Sequence, residues 1–380
     1  MGWHLVTVSL PSTGFDSFLH KGPIMPWRIV RCIVLLVTGM SWEAVAMNEA
    51  FPQNTSANSS KDVLRIGVIG LDTSHAPAFA KLWNSNKAEG LYAKQEIVAA
   101  FPGGSPDIES SINRVPGYTK EFRELGVEIV DSVDRLLEKV DAVIIHSLDG
   151  RKHLEQAIPV LRAKKRLFID KPLAASLADA VLIDKVAKKY QTPWFSSSSL
   201  RFSAGFWKYR SDEALRKDVL GALAWSPCSL ESTHPDLFWY GVHGVETLYT
   251  AMGTGCVRVS RTNTPGTDVV IGVWNDGRIG QYRGHRDSAK SDAYGLIVFG
   301  PKKVEVDNKF DGYAPLVARV AAFFDGEPAP VSAEETIEMF AFMEAADESK
   351  RRQGAPVTIA EVLDKATQEA NKRLSTLTGN

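Results

Sequence analysis

The sequence predicts an α/β fold in two parts. The first is a doubly wound parallel sheet, and the second is an α+β domain with a mostly antiparallel open sheet. Three observations lead there. Between residue 62 and about 200, short apolar runs alternate with helical patterns of about 10–15 residues, the rhythm of βαβ units. Beyond about 200, strand-like runs follow one another with few helices between them. A chain of 380 residues also suits two domains of roughly 100–200 residues better than one.

Leu64-Arg65-Ile66-Gly67-Val68-Ile69-Gly70 reads as a strand ending in glycine, and His75 to Asn86 follows with helical spacing through Phe79, Leu82 and Trp83. Strands are expected next at 96–101, 127–130 and 141–146, with helices at 132–139 and 151–163. Two short strands, 166–169 and 192–196, flank an alanine-rich helix at 176–189. In the second part the strand-like runs are 222–231, 255–262, 267–274, 278–283, 293–299 and 303–306, and two helices near 313–325 and 333–352 close the chain. Doubly wound sheets bind ligands in the crevice at the carboxyl ends of their strands. That rule directs attention to 70–75, 101–105, 146–151 and 170–172.

The first sixty residues read as an address. A basic stretch, 25–31, runs into the apolar segment 32–40 and then Ala44-Val45-Ala46. A positive region, an apolar stretch of roughly 7–15 residues and a small-x-small end make a secretory signal peptide. The apolar stretch falls short of the roughly 20 residues that span a bilayer. An uncleaved anchor is the other reading. Residues 1–46 are therefore expected as signal and extension (Met25 being a second candidate start), 47–61 as a linker, 62–195 and 196–380 as the two domains. The expected location is periplasmic or secreted.

Hydrophobic residues make up 44% and charged ones 23%, an ordinary globular mix. With 44 Lys plus Arg against 45 Asp plus Glu, the chain lacks the basic excess of a nucleic-acid binder. Cys32, Cys228 and Cys256 build neither a disulfide framework nor a Cys-x-x-Cys motif. Two buried thiols at Cys228 and Cys256 are favoured over one bridge.

Four segments in order carry a family resemblance. Residues 163–174, Ala-Lys-Lys-Arg-Leu-Phe-Ile-Asp-Lys-Pro-Leu-Ala, resemble A-G-K-H-V-x-x-E-K-P-L-A. Ser199-Leu200-Arg201-Phe202 is similar to an Arg-Phe element one strand later. Gly241-Val242-His243-Gly244-Val245-Glu246 resembles the tail of D-x-G-x-H-x-x-D, and Pro328–Ile359 has a similar closing cadence. Together they resemble the glucose–fructose oxidoreductase and inositol dehydrogenase (Gfo/Idh/MocA) family. The resemblance implies a Rossmann-type domain, an NAD or NADP cofactor, a sugar or polyol substrate, and a dimer or tetramer.

The loop after the first strand departs from the dinucleotide fingerprint. G-x-G-x-x-G/A brings backbone close to a pyrophosphate at its second glycine. Here the run is Gly70-Leu71-Asp72-Thr73-Ser74-His75, with a carboxylate at that place. Asp72, Thr73 and Ser74 are good N-cap residues, the helix start remains an anion site, and His75 can add positive charge. The ribose acid expected about 20 residues beyond the fingerprint is replaced by Phe101-Pro102-Gly103-Gly104-Ser105. NAD and NADP both stay open. Asp149-Gly150 stands where the family commonly has Pro-Asn.

For catalysis the resemblance singles out Lys171, held by Asp170, together with His243. Oxidising a secondary alcohol needs a base for the hydroxyl proton, and histidine titrates near neutrality. Glu246, one turn on, is expected to orient the imidazole. Arg201, Trp239, Tyr240, His243 and Arg286 are candidate walls of a carbohydrate pocket. His153 is read as structural or near the nicotinamide. No two histidines have the i, i+4 spacing of H-E-x-x-H, so no metal is expected. Three readings remain: a dehydrogenase of sugars or polyols, a redox-neutral glycoside-cleaving variant with retained NAD, and a carbohydrate-binding pseudo-enzyme without cofactor.

Overall fold

A computed structural model of the chain describes residues 63–85, 89–286 and 293–377. The expected signal segment and linker, 1–61, lie outside the described residues.

The first sheet is parallel throughout. Its elements are β1 (Leu64–Ile69), α1 (His75–Trp83), β2 (Gln95–Phe101), α2 (Glu109–Glu124), β3 (Glu128–Ile129), α3 (Val133–Leu137), β4 (Ala142–Ile145), α4 (Gly150–Arg162), β5 (Arg166–Asp170), α5 (Leu177–Tyr190) and β6 (Trp194–Ser197). The strand order is β3-β2-β1-β4-β5-β6, so the direction of winding reverses beside β1, between β2 and β4. Alternation along β1 shows why both faces are covered. Ile66 and Val68 join one apolar cluster, while Ile69 joins the other. Gly67 lies so close to Leu136 and Val140 of the α3 region that a methyl group there would clash at 2.6 Å.

The helix α2 was not anticipated. Pro116 and Gly117 sit in its middle, and both lower helix propensity. Its buried residues Ser111, Thr119 and Phe122 hold it against the sheet by packing instead.

The second part contains α6 (Ala204–Ser211), α7 (Glu213–Lys217), β7 (Gly221–Pro227), α8 (Val242–Met252), β8 (Cys256–Thr264), β9 (Thr267–Trp274), β10 (Ile279–His285), β11 (Gly295–Phe299), β12 (Val304–Asp307), α9 (Ala314–Phe324), α10 (Ala333–Arg351), β13 (Val357–Thr358) and α11 (Ile359–Leu377). Its sheet runs β12-β11-β7-β10-β9-β8-β13. Only β7 and β10 pair in parallel, and the other neighbours are antiparallel. The expected end of the chain needs correction. A third helix, α11, follows the predicted two, with buried Ile359, Val362, Ala366 and Ala370 as its apolar stripe.

The last helices return to the first sheet. Leu316, Val317, Val320 and Phe323 of α9 share an apolar cluster with Phe79, Phe168 and Phe195. The side-chain amide of Gln95 donates to the Ala321 carbonyl at 2.8 Å across that boundary. Cys228 and Cys256 are buried free thiols, and burial pushes Cys256 up to about 12. No helix among the described residues is long and apolar enough to cross a membrane.

Candidate active site

The carboxyl ends of β1, β4 and β5 lie side by side because those strands are neighbours. Gly70 ends β1 with φ +92°, a left-handed conformation that costs glycine little. A Cβ there would lie 2.3 Å from the Ser147 backbone nitrogen, so the closest approach of the β1 and β4 loops also requires glycine. Leu71 N–H donates to the Pro102 carbonyl at 2.7 Å, which fixes the loop after β2 against it.

Asp72 is fully buried and caps nothing. Its Oδ1 accepts the Leu148 N–H at 2.8 Å, and its Oδ2 accepts the Ser111 hydroxyl at 2.7 Å. Burial raises its pKa against those two hydrogen bonds. The carboxyl group is therefore turned away from the helix start. Ser74 is the exposed N-cap of α1 without a side-chain capping bond, and Thr73 is buried beside it. A helix start attracts a phosphate through its free N–H groups, but here the His75 N–H faces Thr73 Oγ1 at 3.5 Å, the Ala76 N–H donates to the Thr73 carbonyl at 3.2 Å and Pro77 has none. Arg114 reaches over the loop, its guanidinium 3.5 Å from the Asp72 carbonyl oxygen. The glycine turn, the inward Asp72 and the Arg114 guanidinium are the features of this loop compatible with a dinucleotide pyrophosphate.

Gly103 is exposed next to Gly70. Ser105 donates to Asp149 Oδ2 at 2.6 Å. Asp149 also accepts from Arg151, and His234 Nε2 stands 3.3 Å from its Oδ1. Burial would raise the Asp149 pKa, but His234, Arg151 and Ser105 outweigh it and hold the carboxyl far below its ordinary value. His153 stands between two backbone carbonyls, with Nε2 2.7 Å from that of Ser147 and Nδ1 3.2 Å from that of Leu173. Burial lowers its pKa, and the neutral ring donates to one of them.

At the end of β5 the structure corrects one expectation. Asp170 does not hold the Lys171 ammonium. Its Oδ1 accepts the Lys171 backbone N–H at 2.8 Å. Its Oδ2 accepts from two imidazoles at once, His75 Nδ1 at 2.6 Å and His146 Nδ1 at 2.8 Å. Lys171 instead points its ammonium toward the face of Tyr240, 5.5 Å from the ring centroid. Burial, aided by Arg114, lowers the Lys171 pKa despite Asp170.

His243 sits in the first turn of α8 with its ring 5.0 Å from Tyr240 and 6.0 Å from Tyr294. Tyr240 and Tyr294 share a 2.9 Å hydrogen bond. Burial, followed by the charges of Lys171 and His75, pushes the His243 pKa well below its ordinary value. At neutral pH it is an uncharged base. The Ser198 hydroxyl is 2.7 Å from its Nδ1, which fixes the ring and leaves Nε2 for chemistry.

Two more expectations are corrected here. Glu246 does not orient His243. Its carboxylate accepts from Ser197, the Ser198 N–H and Arg201, because the two side chains diverge although their positions share a helix face. Arg201 is no pocket wall. It is fully buried, with Nε 2.6 Å from Glu246 and Nη1 2.7 Å from Glu335. Arg286 is likewise engaged, by Asp268 and the Cys228 carbonyl. Trp239 packs on His234 with 4.9 Å between ring centroids. Tyr240 does line the crevice, with Tyr294 and Tyr313, neither of which was singled out in the sequence. Ser198 was overlooked as well, and His146, although within the stretch 146–151 that the crevice rule marked, was given no partner. His146 and Asp170 follow or end the neighbouring strands β4 and β5, which is what brings them together.

A parallel sheet with its glycine turn at the reversal point has the architecture of a dinucleotide-binding domain. Residues 64–196 match the model of the family described as "Oxidoreductase family, NAD-binding Rossmann fold". That match to the Gfo/Idh/MocA model covers the domain built on the first sheet. Among solved structures, the scyllo-inositol dehydrogenase of Lactobacillus casei with NAD(H) and scyllo-inositol is similar at TM-score 0.63 and 15% identity, covering 79% of this chain and 100% of that one. The myo-inositol dehydrogenase of the same organism, with NAD(H) and myo-inositol, is similar at 0.61 and 16%, covering 78% and 96%. GenD2 from gentamicin A biosynthesis, with NAD, is similar at 0.63 and 15%, covering 78% and 96%. No curated protein matches.

Proposed function

We propose that this protein interconverts a secondary alcohol and a ketone on a sugar, a polyol or a derivative of one, using NAD or NADP. The observation that carries this reading is the convergence of Lys171 and an uncharged His243 around Tyr240. In the oxidising direction His243 Nε2 takes the hydroxyl proton, while Ser198 holds the ring through Nδ1. The Lys171 ammonium donates a hydrogen bond to the same oxygen and stabilises the negative charge that develops there. The nicotinamide, when bound, supplies the hydride acceptor. Gly70, Thr73, Ser74 and Arg114 are the residues to hold its pyrophosphate, and Gly103 the one to let the adenosine end pass. Tyr240, Tyr294 and Tyr313 offer aromatic faces to a carbohydrate ring. The dehydrogenases it resembles, with inositols bound, support a polyol-sized substrate.

The signal-like segment supports export, where a retained cofactor would serve a redox-neutral cycle. Exposed Ile271, Ile279, Phe299 and Val304 on the second sheet support a homo-oligomer built on that face.

Native mass spectrometry of the protein with each dinucleotide, followed by a sugar and polyol screen, tests the reading. The expected result is a bound NAD or NADP mass and turnover that falls at least about 100-fold in His243→Ala and Lys171→Ala. A clean apo mass at millimolar cofactor, or turnover indifferent to both substitutions, would overturn it.

A further inference from the structure

The two imidazoles that meet Asp170 have no part in the alcohol chemistry just described. His75 comes from the start of α1, His146 follows β4 and Asp170 ends β5. All three are buried, and their ligand-type atoms lie within 4.8 Å of one another. We propose that His75 Nδ1, His146 Nδ1 and Asp170 Oδ2 form a site for one divalent transition-metal ion of the zinc or ferrous kind.

Several features point the same way. Two imidazole nitrogens and one carboxylate oxygen are the donor set of catalytic zinc sites and of non-haem iron sites, which keep positions open for water or substrate oxygen. Both rings present the same nitrogen to one oxygen. His146 Nε2 is buried with no hydrogen-bond partner among the described residues, so Asp170 alone orients that ring by hydrogen bonding. The other carboxylate oxygen is pinned by the Lys171 N–H, which fixes the direction of Oδ2. Around these polar atoms stands an aromatic shell. The Phe79 ring is 4.7 Å from His146, and the Tyr313 ring is 4.8 Å from His75. Such a shell limits water and strengthens the attraction between cation and ligands.

The donor atoms are already gathered, and taking up an ion requires the rings to adjust around it. Ligands at about 2.0–2.2 Å from one metal stand roughly 3.0–3.4 Å apart in octahedral or tetrahedral arrangement. The present separations of 2.6 and 2.8 Å are those of hydrogen bonds. To accept the ion the two Nδ1 protons leave, Oδ2 draws back by a few tenths of an ångström, and the two imidazole nitrogens, within 4.8 Å of each other, close toward the roughly 3.0–3.4 Å of neighbouring ligands.

The test reads metal directly, so it stands apart from the dehydrogenase reading. Full-length untagged protein, expressed with added zinc, manganese or ferrous iron, is assayed by inductively coupled plasma mass spectrometry and by thermal melting with each ion and with chelator. About one equivalent of zinc or iron per chain is expected, with a melting rise that chelator reverses. His146→Gln and the near-isosteric Asp170→Asn should carry less than about a tenth of an equivalent and lose the shift. The melt of each variant without metal reports whether it has folded. Wild-type protein with neither metal nor shift would overturn the proposal. So would folded variants that keep the full equivalent.

Discussion

Arg201→Met is the substitution whose consequence follows most directly from the structure. Arg201 and its two carboxylate partners are almost wholly out of water, at 0%, 2% and 1% side-chain exposure. Removing the guanidinium leaves the partners unequally placed. Glu335 keeps Arg210 as a second cation. Glu246 keeps only the Ser197 hydroxyl and the Ser198 N–H. Breaking a buried pair on one side costs about 3–5 kcal/mol, and here most of it falls on Glu246. At roughly 2–3 °C per kcal/mol for a chain of this size, the melting temperature should drop by about 6–15 °C. Burial already raises the Glu246 pKa in the presence of Arg201, and without that cation it rises further. The folded state then binds a proton that the unfolded state releases, so the deficit is greatest at alkaline pH and shrinks as pH falls toward 5. Adding Glu246→Gln removes the stranded charge and should recover about 1–3 kcal/mol. Thermal and urea melts of the two variants at several pH values read all of this. A single-variant loss under about 1 kcal/mol, or a double variant no better than the single, would refute the reasoning.

Three other predictions concern the crevice and its turn. Ser198→Ala removes the bond that holds His243 Nδ1, worth about 0.5–1.5 kcal/mol. Turnover should fall about 3–10-fold with little change in KM, and the pH–rate profile should tell whether the base has the assigned character. With His243 held well below its ordinary pKa and Lys171 below its own, wild-type oxidation should lose rate only well below pH 6.5, as His243 takes up a proton. It should lose rate again on the alkaline side before 10.5, as Lys171 gives one up. A limb centred at 6.5 or above would remove His243 as the base. Gly70→Ala forces a side chain into a left-handed conformation and against Ser147, so a loss of at least about 2 kcal/mol in the melt is expected.

Sequence patterning carried the architecture further than it carried the site. Apolar runs of four to seven residues at β1, β2 and β4 survive as buried parallel strands, since both faces of such a sheet demand apolar side chains. Where local preference and tertiary packing disagree, the reading failed. Pro116 and Gly117 hid α2, and the charged surface of α11 hid its four-residue stripe. Single residues were legible as types but not as partners. His243 and Lys171 both stand around Tyr240. Glu246 and Arg201 were taken for crevice residues, yet they neutralise each other beneath it. Asp170 meets His75 across 95 positions and His146 across 24, a meeting that depends on strand order rather than on any spacing.

The return of α9 to the first sheet has a consequence for the order in which the chain can be made. Phe79, Phe168 and Phe195 are fully synthesised long before Phe323 exists to cover them, and Gln95 waits 226 residues for its carbonyl. Each of those rings is worth about 1.5–3 kcal/mol when buried. A nascent chain stopped near residue 200 would therefore present a greasy face to whatever surrounds it. The nucleotide-binding half is not a detachable module. It becomes a finished object only when nearly the whole polypeptide has been delivered.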